Sequence, residues 1–496
     1  MSAKYNLGIA DYAIILTSFI VSSLIGVGFR FSGDRQKTTS EYLLGGRNSH
    51  MLPVVLSTTV TTMSGIAILG NPAELYKYGV TCLIFELGTG IGMVFASYFI
   101  IPVYFRCGVS SIYEYLEMRF GKYTRYTVSA MFLIEMILYM SIVLLAPVLA
   151  LSAVTDISMG TAIVLCGSVC TFYCFLGGLK AVMWADVFQS ILMFICVIVI
   201  ISVGIFEFGG VGEIIRRADT TKRLDIDFAF DLTTRYTFWN CLMEGLQIGI
   251  GYYGTNQIQV QRVLSMSGPK RAQKAILWSV FPVVGIYMMI SSIGIVLYAI
   301  FYLCDPMQDK EAGISSYDQL VPYFIITRLG SVPGVMGLCI AGVFSGSLST
   351  MSSGLNSMST VAVVDFIKPK FGTKITDKTL VVVAKGLALL FGIAVILLTF
   401  VISGANSIAQ LTAVFMVAIE GPVIAIFLTG IFTRKVSDKN AVLGLIISVV
   451  VIYWLSFGSM ISDYTTPIYP LDTSGCSWTN SSNFSNFTMQ TSQDTN

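Results

Sequence analysis

The sequence predicts an all-α integral membrane protein with many spans, and three observations carry that reading. Only 12% of the 496 residues are charged, 55% are hydrophobic, and the mean hydropathy is +0.77. A soluble globular chain carries roughly 25% charged residues, so this surface is built to face lipid. Apolar stretches of the roughly 20 residues that cross a bilayer core recur from end to end. The alternating pattern of an outer-membrane barrel is missing from the sequence.

Twelve spans follow from the length criterion. They lie near 9–30, 52–72, 81–105, 126–153, 159–177 and 182–206, then near 238–262, 274–303, 333–364, 379–402, 406–432 and 441–460. The first run is long enough to span, and it lacks the basic flank and cleavage site of a signal peptide. Residues 1–465 read as one transporter-like domain and 466–496 as a polar tail.

Alternate loops carry the basic residues, which marks their side as cytoplasmic. Arg47, Arg106, Arg119, Lys122, Lys180, Arg271, Lys370 and Lys439 all fall on that side. The opposite loops hold Asp156, Asp305, Asp309 and Glu311, and the basic residues of the long 207–237 loop weigh little in this rule. Asn480, Asn483 and Asn486 each begin a glycosylation acceptor sequence in the tail, which requires a lumenal or extracellular face. Both termini are therefore expected outside, in a multi-pass protein of the plasma membrane.

Several function classes fall away. The net charge of +2 and the lack of a basic patch interleaved with aromatics give no sign of nucleic acid. The single histidine, His50, and the lack of a metal-ligand cluster or a nucleophile–base constellation argue against an enzyme. No organic cofactor is expected. Cys166, Cys170, Cys174, Cys196 and Cys241 lie in apolar runs as small packing residues. Cys304 and Cys476 both fall on the outer side, where they could pair, but sequence leaves that open.

Two apolar segments are irregular. One runs from Leu56 to Gly65 through Ser57, Thr58, Thr59, Val60, Thr61, Thr62, Met63 and Ser64, and closes at Pro72. The other reads Gly249-Ile250-Gly251-Tyr252-Tyr253-Gly254-Thr255-Asn256-Gln257. Glycine and β-branched residues weaken a helix, and irregular backbone survives in a bilayer only where it lines a cavity. The starts of the two segments lie five spans apart, the pattern of an inverted-repeat transporter with a midplane site. The first repeat is expected over about 52–206 and the second over about 238–432. Ordinary small-residue packing between helices is the competing reading.

A third segment, Ser345 to Ser357, is dense in hydroxyls. Gly346, Ser349 and Thr350 share one helical face by their spacing. Oxygen ligands without formal charge suit a reversibly held monovalent cation. Val60 and Met63 have the same spacing on the first broken helix, so the two segments together would form a sodium cage. Hydroxyls that bond back to their own helix are the alternative. Glu86, Asp186, Glu244 and Glu420 lie inside or near spans and are functional candidates. Asp186 and Glu244 could instead sit solvated near an interface, whereas Glu420 must face the bundle interior.

The motifs now on the page resemble those of the sodium/solute symporters. They are Tyr42-Leu43-Leu44-Gly45-Gly46-Arg47, Pro72-Ala73-Glu74, and the run from Ser111 to Gly121 (Ser-Ile-Tyr-Glu-Tyr-Leu-Glu-Met-Arg-Phe-Gly). The Gly177–Asp186 run with Gln189, Asn256-Gln257 with Gln261-Arg262, and Leu348-Ser349-Thr350 through Asn356 complete the set. The likeness covers about residues 8–460 and is nearest to the monocarboxylate, multivitamin and iodide branch. It implies a LeuT-like fold of two inverted five-helix repeats, with one extra span before the core and one after it. It also places the family's sodium site on Val60, Met63, Gly346, Ser349 and Thr350, with Na+ as the coupling ion. A further span would follow the glycosylated loop, so the chain reads as a shortened form.

Ser64, Ala67, Glu86, Tyr253 and Asn256 are the candidate substrate contacts. Ala67 stands where some sugar carriers have a glutamine, which disfavours a polyol, although Glu86 matches an acidic sugar contact and Thr89 keeps a hydroxyl. The expected activity is sodium-coupled import of a small organic anion such as lactate, pyruvate or a short fatty acid. A multivitamin or iodide-type carrier, or a transport-inactive channel or sensor on the same fold, remains open. Glu420 departs from the small residue most relatives have.

Overall fold

The computed structural model describes residues 7–31, 38–154, 157–309, 312–314, 316–330, 332–403, 408–462 and 466–476. The tail acceptors Asn480, Asn483 and Asn486 lie outside them. Each of the twelve expected spans falls on helix, and no strand occurs among the described residues.

The long helices are α1 (Ile9–Phe31), α2 (Met51–Thr61), α3 (Gly65–Tyr78), α4 (Ile84–Phe95), α5 (Lys122–Val154) and α6 (Met159–Glu207). They continue with α7 (Phe238–Ile250), α8 (Gln257–Leu264), α9 (Pro269–Ile300), α10 (Val335–Val361), α11 (Asp377–Ile402), α12 (Ile408–Phe432) and α13 (Asp438–Ile461). The 2–3 and 7–8 pairs are the two interrupted spans. The first pair is bent by 56°. The second passes through the wide turn Gly251–Thr255 and breaks at Asn256, whose backbone is extended.

At 49 residues α6 would be roughly 74 Å long if straight, more than twice a bilayer core of about 30 Å. It is two spans folded back at Gly178, whose φ of 63° suits glycine alone. The contacts prove the reversal. Tyr173 donates to the Leu348 carbonyl at 2.8 Å, and Asp186 accepts from Ser349 at 2.6 Å. Two positions thirteen residues apart thus touch neighbouring residues of one helix.

That helix, α10, is the axis of the bundle. Nearly all of it is buried, against α1, α5, both halves of α6, and α11. Helices α4 and α7 meet differently. Gly88 and Gly92 face Gly245 and Gly249 across the pair, and a Cβ on Gly92 would lie 2.7 Å from the Gly249 Cα. Small residues at this spacing let backbones touch where lipid offers no hydrophobic drive.

One face of the molecule is closed by polar bonds. Ser111 begins the helix Ile112–Arg119 with a capping box to Glu114, which gives physical content to the Ser-Ile-Tyr-Glu motif. Arg125 pairs with Asp365 at 2.7 Å and with Glu117. The opposite face carries residues 466–476 as a strap. Tyr469 N donates to the Lys77 carbonyl at 3.1 Å, and Gly475 N to Leu303 at 2.8 Å. Buried Arg223 donates to Pro470 at 3.1 Å and stacks 3.7 Å from the Tyr298 ring. The pairing that sequence left open is present: Cys304 and Cys476 form a disulfide that closes a separation of 172 residues.

Alkylation of the denatured chain without reduction is expected to leave Cys304 and Cys476 unlabelled, and prior reduction to expose both. Cys304→Ser should lower thermal stability by about 2–4 kcal/mol. A mass spectrum that shows both thiols free before reduction would contradict the staple.

Candidate functional site

A helix that unwinds inside a membrane must find partners for the backbone groups it releases. Here α2 ends at Thr61 and α3 begins at Gly65. The Thr61 carbonyl accepts from the Thr350 hydroxyl at 2.9 Å, and the Thr62 carbonyl from the Tyr287 hydroxyl at 2.6 Å. Gly65 N donates to the Ser347 hydroxyl at 3.0 Å. Side chains of α9 and α10 thus replace the missing helical bonds, which places the break against the hydroxyl-rich stretch of α10.

All five residues of the expected cage are fully buried, and Gly346 and Thr350 lie against the break. The missing side chain of Gly346 makes the approach possible, because a Cβ there would stand 2.6 Å from the Met63 carbonyl oxygen. Thr350 also reaches back to the Gly346 carbonyl at 3.1 Å. Ser349 faces away from the break, and its hydroxyl donates to Asp186. The Val60 carbonyl accepts from Met63 N at 2.9 Å.

Beside the break opens a cavity of about 350 Å³. It is lined by Thr62, Ser64 and Ala67 from the first interrupted span, by Glu86 and Thr89 of α4, and by Tyr252 and Tyr253 of the second. Tyr139, Tyr287 and Glu420 complete its deep end, and Glu74 and Tyr236 mark its mouth on the strap face. Of the candidate substrate contacts, Ser64, Ala67, Glu86 and Tyr253 line it. Asn256 does not: its side chain accepts from Ile258 N at 2.9 Å and caps α8.

On the other side of the cage the structure is locked. Arg262 is 1% exposed, and its guanidinium donates to Ser57 at 2.6 Å and to Thr61 at 2.5 Å, as well as to Ser353 and Asp186. Asp186 is wholly buried and also accepts from Ser57 at 2.5 Å. The solvated position that its place at the start of a span suggests is therefore wrong. Its partner lies 76 residues along the chain. Nearby, Gln261 ties the Leu43 carbonyl to Thr360 at 2.6 and 2.8 Å, and Gln257 accepts from Ile112 N at 2.9 Å. The Asn256-Gln257 and Gln261-Arg262 motif is thus a set of bolts that holds α8 to α2, α6 and α10.

Comparison with known proteins agrees with this geometry. The model of the sodium:solute symporter family matches residues 42–448. This chain belongs to the sodium:solute symporter family. The symporter is 35% identical over 480 residues to sodium-coupled monocarboxylate transporter 2 of Bos taurus, covering 96% of this chain and 77% of that one. It is 36% identical to a Drosophila melanogaster protein named for sodium-dependent multivitamin transport, with 95% and 78% covered. Among solved structures, a Na+-coupled sialic acid symporter in a substrate-bound outward-open state superposes with a TM-score of 0.80. It shares 25% identity and covers 94% of this chain and 99% of its own. The symporter thus has the LeuT-like arrangement that the resemblance implied.

Sequence reasoning missed three parts of the site. Tyr139 and Tyr287 are aromatic residues in apolar spans and carried no signal. Glu135 did carry one, as an intramembrane carboxyl in the fourth span, and it packs near Glu420. The Arg262–Asp186 pairing was visible only as two separate motifs.

Removing one partner of a buried ion pair costs about 3–5 kcal/mol, because the other charge is left alone. Arg262→Met is expected to destabilise the purified symporter by that amount, and the double variant Arg262→Met with Asp186→Asn to recover a large part of it. Additive losses in thermal unfolding would refute the coupling.

Proposed function

We propose that this symporter imports a small organic anion of the monocarboxylate class across the plasma membrane, driven by sodium. The observation that carries the reading is the contact of Thr61 and Gly65, which flank the unwound turn, with the Thr350 and Ser347 hydroxyls of α10. The monocarboxylate relatives support the substrate class.

In this reading the Val60, Met63 and Gly346 carbonyls and the Ser349 and Thr350 hydroxyls hold the sodium ion. A hydroxyl that now donates can rotate and present a lone pair, so Thr350 can release the Gly346 carbonyl and become a ligand itself. Neutral oxygens alone would bind a monovalent ion weakly enough to let it go. Sodium draws α10 and the α2–α3 break together, and so favours the closed arrangement by its differential affinity for it. The substrate carboxylate sits at the amino end of α3, where the helix dipole and the ion both attract negative charge. Asp186, on the far side of Ser349, offers the ion its next oxygen on the way through.

The strap face is taken as extracellular. Its disulfide belongs to an oxidising compartment, and the basic loops fall on the locked face. A vitamin carboxylate is the second reading. It is favoured by a cavity volume larger than a three-carbon acid needs and by the multivitamin-named relative.

In proteoliposomes, labelled lactate and biotin are to be compared under an inward sodium gradient and with potassium in its place. Sodium-dependent accumulation of lactate is expected. Ser349→Ala and Thr350→Ala should each raise the sodium concentration for half-maximal uptake about tenfold, or about 1.4 kcal/mol. An unchanged sodium dependence would remove both hydroxyls from the ligand set.

A further inference from the structure

We infer that the solute cavity has a cation-binding end at Glu420 and Glu86, so that its preferred cargo carries a positively charged nitrogen as well as a carboxylate. This rests on the sodium-driven carrier reading above and narrows its substrate class.

The lining holds four carboxyl groups and neither lysine nor arginine. Glu74, at the mouth, is already neutralised by Lys77 at 2.7 Å and Arg235 at 3.1 Å. Glu244 is exposed near that mouth. The two deep groups are different. Glu420 is 5% and Glu86 4% exposed. Both oxygens of Glu420 and the Oε2 of Glu86 lack a hydrogen-bond partner among the described residues. A buried carboxylate without a partner is strongly disfavoured, and both groups face one cavity. The deeply buried guanidinium of Arg262 is occupied on the locked face.

The surroundings strengthen the case. Gly251 makes room for Glu420, since a Cβ there would lie 2.9 Å from its Oε1. Behind Glu420 a void of about 10 Å³ is shared with Glu135, and neither lysine nor arginine lines it. Phe85, Tyr139, Tyr236, Tyr252, Tyr253 and Tyr287 line the same cavity. Aromatic faces attract ammonium groups, quaternary ones included. A simple monocarboxylate uses none of this: it would meet the amino end of α3 and leave the acidic, aromatic end unfilled. A zwitterion with its carboxylate at Ser64 and its nitrogen toward Glu420 satisfies both ends.

Three labelled probes distinguish the sources of charge in sodium-driven proteoliposome uptake: lactate, glycine betaine and choline. Betaine is expected to be taken up at least tenfold more efficiently than lactate. Glu420→Gln should cut betaine uptake at least tenfold and lower the betaine-to-lactate ratio at least fivefold, and Glu420→Asp should recover part of the loss. Retained stabilisation of Glu420→Gln by sodium in thermal unfolding shows that the variant is folded. Lactate preferred over betaine, with a ratio that Glu420→Gln leaves unchanged, would overturn the inference and leave the anion carrier standing. A Glu420→Gln effect confined to the sodium requirement would overturn it too, because the carboxylate would then serve a free cation. Choline carried and betaine refused would keep the cationic end and refute the carboxylate one. Failure of all three probes under a sodium gradient would sink both readings.

Discussion

The structure depends on how the backbone freed at Thr61, Thr62 and Gly65 is satisfied. Three hydrogen bonds from Thr350, Tyr287 and Ser347 stand in for the helical ladder. Without them an unwound turn at this depth would leave bare amide groups in an apolar interior. These bonds explain why α10 is so rich in hydroxyls, why Gly346 has no side chain, and why the aromatic Tyr287 of α9 leans over the break. They also explain how a binding site can exist here. Side-chain hydroxyls that satisfy a backbone can exchange that duty for a cation, whereas an intact helix has nothing to exchange.

The charges are arranged in layers around that break. On the locked face the buried cations are engaged: Arg262 with Asp186, and Arg125 with Asp365 and Glu117. On the open side the deep carboxyls of Glu86 and Glu420 stand apart from basic side chains among the described residues.

Each of the twelve stretches picked by hydropathy falls on helix, because lipid leaves few alternatives to a helix of the right length. The two interruptions were legible for a related reason, since glycine and crowded β-branched residues announce a weak helix. Helical spacing and the resemblance both singled out Val60, Met63, Gly346, Ser349 and Thr350; of the α10 members Gly346 and Thr350 lie against the break, whereas the Ser349 hydroxyl turns to Asp186. What was illegible is the choice of partner. Nothing in the sequence around Asp186 says that Arg262 will lie against it, and so a buried ion pair was legible only as a functional candidate that could equally be a solvated end. Asn256 looked like a substrate contact but caps a half-helix, because an asparagine beside a break serves either role equally well. The fold-back at Gly178 was read as the gap between two spans, although the helical pattern runs almost unbroken through it. Glu135 was overlooked although the rule that singled out Glu420 applied to it.

The glycine contact between α4 and α7 has a mechanical consequence. Two helices whose main chains touch at Gly88, Gly92, Gly245 and Gly249 have no side chains between them to serve as rollers. Sliding one along the other would force the ridges of the next turn into the seam. Relative travel within this pair is therefore resisted by direct backbone contact. The halves of the interrupted span 238–264 can swing only as far as α4 swings with them, which makes a helix from the first half of the chain a passenger of the second.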